Sequence, residues 1–91
     1  MPRIGMIHQP TLPPETLTDL ARRAEAAGVE EVWVWEDCFK QSGLAPLIAA
    51  LASTERLRVG VGILPMPLRN PALAAMEIAT VERLYPGRAI F

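Results

Sequence analysis

Apolar residues along this chain alternate between short runs that fill both sides of an extended backbone and longer stretches where they recur every three or four positions. Ile4-Gly5-Met6-Ile7-His8 reads as a first strand. It ends near His8, because Pro10, Pro13 and Pro14 forbid its continuation and impose a loop. From Glu15 onward, Leu17, Leu20, Ala21 and Ala24 fall at helical spacing against Asp19, Arg22, Arg23 and Glu25, and Gly28 supplies the stop. Residues 29–36 form a second strand with Val32 and Val34 on one face and Trp33 and Trp35 on the other. A polar loop follows, then a helix from about Leu44 to Ala52 with Pro46 in its first turn. Residues 57–64 give a third strand whose Gly60 and Gly62 clear one face near its carboxyl end, where something can approach the backbone. The proline-rich stretch from Pro65 to Pro71 leads into a helix from Ala72 to about Leu84, stopped by Pro86-Gly87. Arg88-Ala89-Ile90-Phe91 opens a fourth strand.

Strand and helix repeat with a period of roughly thirty residues, the length of a βαβ unit, so the fold class is parallel α/β. Two architectures satisfy that alternation, a closed (β/α) barrel and an open doubly wound sheet. Ligands sit at the carboxyl ends of the strands in both, which singles out residues 8–10, 36–39 and 62–69. The first turn lacks the glycine-rich fingerprint of a dinucleotide-binding open sheet, and this favours the barrel. Residues 1–91 are expected to form one partial domain, the first part of a larger parallel protein, with an open sheet edge.

An apolar content of 51% with 21% charged residues belongs to a globular core. The net charge of −1 offers no basic field to nucleic acid or anionic lipid. The longest uninterrupted apolar run, residues 47–52, is far too short to span a bilayer, and no secretory signal is visible. One cysteine, Cys38, excludes an intramolecular disulfide, and one histidine with one cysteine makes no zinc motif. A cytoplasmic protein without membrane or nucleic-acid partners is the expectation.

Several segments then matter together: Ile4-Gly5-Met6-Ile7 before a proline loop; Leu20-Ala21-Arg22-Arg23-Ala24-Glu25-Ala26-Ala27-Gly28 running into Val32-Trp33-Val34-Trp35-Glu36-Asp37; and Thr54-Glu55-Arg56-Leu57-Arg58-Val59-Gly60-Val61-Gly62. Arg69-Asn70-Pro71-Ala72 and Ala79-Thr80-Val81-Glu82-Arg83-Leu84-Tyr85-Pro86-Gly87-Arg88 complete the set. In their order and spacing the chain resembles the bacterial luciferase-like monooxygenase family of flavin- and deazaflavin-dependent oxidoreductases. The resemblance implies the amino-terminal part of a (β/α)8 TIM barrel of roughly three hundred residues. It implies a deazaflavin of the coenzyme F420 type, or FMN, over the strand ends. It also implies a small organic substrate, and a possible homodimer.

Carried onto this chain, the resemblance makes Asp37 and His8 the catalytic candidates and Asp37, Gly62, Ile63 and Leu64 the cofactor-binding ones. At Gly62-Ile63 it implies a bulge and a non-prolyl cis peptide backing the ring. Cys38 stands where several deazaflavin-dependent relatives have a histidine, so no general base carries over there. From the residues themselves, strand alternation sends Glu36 and Asp37 to opposite faces. Arg69 reads as a loop anchor or a phosphate ligand, and Met66, Met76, Trp33 and Trp35 as core fillers. Two functions from different classes follow. One is the amino-terminal portion of an oxidoreductase; the other is a non-catalytic remnant or half-barrel that requires a partner chain.

Overall fold

The computed structural model describes residues 2–91, except the side chain of Met66, so the core role expected of Met66 lies outside the described residues. Strands β1 (Gly5–Ile7), β2 (Glu31–Val34), β3 (Arg58–Val61) and β4 (Ala89–Ile90) form one parallel sheet in sequential order. Helices α1 (Leu17–Ala26), α2 (Leu44–Ala52) and α3 (Pro71–Leu84) make the crossovers. Short 3-10 turns at Pro14–Thr16 and Met66–Leu68 lead into α1 and α3.

Local chemistry explains the helix ends. Beyond α1, Gly28 takes φ +85°, Val29 N–H donates to Ala24 O at 2.9 Å and Gly28 N–H to Glu25 O at 3.1 Å, which is a Schellman motif. Asn70 caps α3 by accepting a hydrogen bond from Ala72 N at 2.8 Å, with Pro71 preset for the first turn.

Valines 32, 34, 59 and 61 point to one face of the sheet. There they pack with Leu17, Ala21 and Ala24 of α1, Leu47 and Leu51 of α2, and Val81 of α3. All three helices therefore cover the same face. A doubly wound sheet carries helices on both, so the structure chooses the wall of a partial (β/α) barrel. Glu25 locks this layer from α1: its carboxylate accepts backbone N–H groups of Glu55, Arg56 and Leu57 ahead of β3.

The other face is open. Register sets Ile7, Trp33, Gly60 and Ile90 side by side across it. A Cβ on Gly60 would stand 2.5 Å from the Trp33 ring, so that ring lies directly on glycine. Trp33 and Trp35 are half-buried here and fill no closed core. Met76 departs further from expectation. It is 66% exposed, because α3 meets the sheet through Ala74 and Val81 and turns Met76 to the far side. Among the described residues no helix is long and apolar enough to cross a membrane.

Candidate functional site

The carboxyl rim takes its shape from how β2 and β3 part. Gly62 N donates to Val34 O at 2.7 Å, as a regular parallel ladder requires, but Glu36 N donates to Ile63 O at 3.0 Å where the ladder would use Gly62 O. One extra residue has entered β3, a bulge at Gly62-Ile63. The regular strand consequently ends at Val61, short of the 57–64 expected. Gly62 is exposed, and a Cβ there would meet nothing nearer than Val34 O at 3.7 Å. Ile63 is 58% exposed, whereas Leu64 turns back against the core. The cis bond expected at Gly62-Ile63 is absent: the described peptide bonds are all trans. Trans is the form a non-prolyl amide favours by about 3 kcal/mol.

Below this rim lies a buried ion network. Positions 32, 34 and 36 share the helix-covered side, so Glu36 is 6% exposed and its carboxylate needs a cation. Arg69, from the loop after β3, supplies it in fork geometry, Nη2 to Oε2 at 2.6 Å and Nε to Oε1 at 3.2 Å. Arg69 Nη1 also meets Glu77 of α3 at 3.0 Å, and Gly43 N donates to Glu36 Oε2 at 3.0 Å. The Arg69 hydrogen bonds hold the Glu36 carboxyl below its usual range; burial opposes this, and Gly43 N–H and the arginine charge add to it. Space at Gly43 is tight, since a Cβ would lie 2.9 Å from the Leu64 Cδ2 and 3.1 Å from the Val61 Cγ1. Arg69 thus acts as an anchor between loops.

Asp37 emerges on the other side. Its N–H donates to Gln41 O and its carbonyl accepts from Lys40 N, closing a tight turn with Phe39 at φ +64°. Its carboxylate is 40% exposed and meets Lys40 Nζ at 3.5 Å. Phe39, at 103% relative exposure, projects fully from this turn, and Cys38 beside it is exposed. A cleft of about 390 Å³ runs between the loops after β2 and β3, lined by Asp37, Phe39, Gln41, Leu68, Arg69 and Leu73.

His8 sits at the end of β1, 2% exposed. Thr16 commits its hydroxyl proton to Pro13 O at 2.7 Å, so at the 3.0 Å contact between His8 Nε2 and Thr16 Oγ1 the imidazole is the donor. Nδ1 keeps a buried lone pair with no donor. Burial pushes this imidazole below its ordinary value, the Pro13 carbonyl acting the other way, so His8 is neutral near pH 7.

The structure therefore sets Asp37 and the Gly62-Ile63 bulge on adjacent strand ends, with Leu64 and His8 held beneath. Sequence reading missed the network of Glu36, Gly43, Arg69 and Glu77. Its signal was the shared parity of Val32, Val34 and Glu36, which puts a carboxylate where only a paired one is stable.

The family model described as luciferase-like monooxygenase matches residues 1–91. The chain is 38% identical over 86 residues to the F420-dependent glucose-6-phosphate dehydrogenase of Kineococcus radiotolerans, covering 85% of this chain and 26% of that protein. The coenzyme F420-dependent tetrahydromethanopterin reductase of Methanopyrus kandleri superposes with a TM-score of 0.83 at 30% identity, over 97% of this chain and 25% of that one. The monooxygenase RslO1 of Streptomyces bottropensis gives a TM-score of 0.83 at 25% identity, over 97% and 31%. The chain spans 26% of that dehydrogenase and 25–31% of the two solved chains.

Proposed function

The chain belongs to the luciferase-like monooxygenase family, and from that premise we propose that it supplies the first part of the cofactor site of a flavin- or deazaflavin-dependent oxidoreductase acting on a small organic substrate. The observation that carries this reading is the bulge at Gly62-Ile63 on the strand end next to Asp37. A deazaflavin of the F420 kind is the preferred cofactor, since relatives that match well are named F420-dependent, and FMN is the alternative.

The residues fit a flat ring better than a phosphate tail. Exposed Gly62 offers bare main chain to a ring face, and the half-exposed Asp37 carboxylate accepts a hydrogen bond from a ring hydroxyl or N–H. The two cations beside the cleft are already engaged, Arg69 by Glu36 and Glu77 and Lys40 by Asp37. When bound, the cofactor supplies hydride transfer or oxygen activation. Asp37 orients the ring, Gly62 and Ile63 back it, and Leu64 pins the bulge to the core. His8, neutral and tied to Thr16, holds the end of β1 in place instead of exchanging protons with solvent.

Native mass spectrometry of the protein from its own cells tests the reading. A bound mass matching a deazaflavin or FMN supports it and selects the cofactor. Asp37→Asn should then weaken cofactor binding about tenfold, the loss of one hydrogen bond to a charged acceptor. A cofactor-free polypeptide overturns it and leaves the second reading, a non-catalytic barrel module that requires a partner chain.

A further inference from the structure

We propose that Glu36 is the positioning residue of the cleft: it staples the loops after β2 and β3 to each other and so sets the distance between Asp37 and the Gly62-Ile63 bulge. The staple is made wholly within the described residues. Its consequence for binding rests on the cofactor reading above.

Glu36 closes two loops at once. Its Oε2 accepts from Gly43 N, seven residues on, at 3.0 Å, which closes the loop that carries Asp37 and its turn to Gln41. Its main-chain N–H donates to Ile63 O at 3.0 Å and its carboxylate takes the Arg69 fork at 2.6 and 3.2 Å, so one residue holds both ends of the loop from Ile63 to Arg69. Among the described residues no other hydrogen bond joins the two loops. The cleft between them is lined by residues 36–42 on one side and by Leu68, Arg69 and Leu73 on the other. Its width follows from the fork, whose paired N–H···O bonds fix distance and plane together.

Net stability is a poor account of this pair. Both side chains are largely buried, and a buried ion pair holds a fold no better than apolar side chains of similar volume would. Alignment is what the pair adds. The first loop keeps a further tie, Gln41 Nε2 to Pro10 O at 3.1 Å, whereas the second, apart from Arg69, has its own 3-10 turn, Leu68 N to Pro65 O at 3.1 Å.

Three variants of the protein as its own cells produce it separate alignment from stability. Glu36→Gln keeps an acceptor for Gly43 N but breaks the fork. Arg69→Met breaks it from the other side and leaves a buried charge unpaired, and the double variant Glu36→Gln/Arg69→Met breaks it with no charge stranded. Urea midpoints should fall furthest in Arg69→Met and recover in the double variant. Titration with FMN and with a coenzyme F420 deazaflavin, each followed by its own fluorescence, should show the same loss of affinity in all three, about tenfold, the effect of losing the Asp37 contact. Without cofactor, exchange of the Leu68 amide should quicken in Glu36→Gln and in the double variant, while that of Leu47, inside α2, is unchanged. If Arg69→Met fails to fold, those two variants carry the comparison. Wild-type protein that binds neither cofactor overturns the functional reading, and Leu68 exchange alone then decides the staple. An affinity that returns to the wild-type value in the double variant, or a Leu68 amide that exchanges as in wild type, overturns the proposal.

Discussion

Removing Arg69 should unfold much of this protein, and the size of the effect follows from what is left behind. In Arg69→Ala the Glu36 carboxylate keeps a single donor, Gly43 N, in a site where its side chain is 5% exposed. Breaking a buried pair from one side costs about 3–5 kcal/mol, because an uncompensated charge remains. Domains are stabilised by only about 5–15 kcal/mol in total, so a loss of that size is a large part of the whole. Glu36→Gln is gentler. The amide oxygen still accepts from Gly43 N and Arg69 retains Glu77, so about 1.5–3 kcal/mol is expected. The two variants also differ with pH. Pairing depresses the folded-state titration of Glu36, so its contribution is complete above the ordinary carboxylate range and disappears as pH falls through the lower, folded value. Urea unfolding followed by circular dichroism at pH 7, and then at pH values descending through about 4, should show the gap between wild type and Glu36→Gln closing on acidification. Arg69→Lys, which cannot reproduce the fork, gives an intermediate loss if Arg69→Ala proves too unstable to measure. A loss under about 1 kcal/mol for Arg69→Ala, or a gap that stays flat with pH, refutes the reasoning.

Three further substitutions probe other parts of the argument. Gly60→Ala drives a methyl into the Trp33 ring, 2.5 Å away, and should cost about 1–3 kcal/mol; in a double-mutant cycle Trp33→Ala should remove most of that cost, and additive losses would sink the steric explanation. Phe39→Gly removes a fully exposed side chain from φ +64° and should raise the urea midpoint by about 1 kcal/mol of stability; a loss would show that Phe39 has a partner in solution. Burial alone pushes the Glu25 carboxyl up, but the N–H groups of Arg56, Glu55 and Leu57 and the Arg56 charge outweigh it, so the group titrates below its ordinary range. Glu25→Gln should therefore destabilise at pH 7 by about 1 kcal/mol and by nothing once the pH is below the folded titration, as thermal melts at both pH values would show.

What the chain discloses in one dimension is its local periodicity, and that was enough for every strand and helix here. Val32, Val34 and Glu36 alternate with Trp33 and Trp35, and that parity separated the two faces of β2 without saying which one the helices cover. Periodicity does not say on which side each helix returns; the missing glycine-rich first turn and the family resemblance favoured the barrel, and the three helices sharing one core agree with it. The rim shows the same division. Gly62 was legible as a bare position, yet the bulge depends on which carbonyl Glu36 N selects across the sheet, a choice made between residues 27 apart in sequence. Arg69 finds Glu36 across 33 positions and Glu25 reaches Leu57 across 32, too far for any helical or strand period to couple them. Those long-range pairs have a common physical origin. Each carboxylate leaves an element whose apolar face is already committed to the core, and each is held where loops from two successive units converge. A repeated βα unit brings its loops together at each end of the sheet, Glu36 meeting Arg69 at the carboxyl ends of the strands and Glu25 meeting main-chain N–H groups ahead of β3. The loops at both ends of such a sheet are consequently where sequence reading fails most, and the candidate site lies at the carboxyl one.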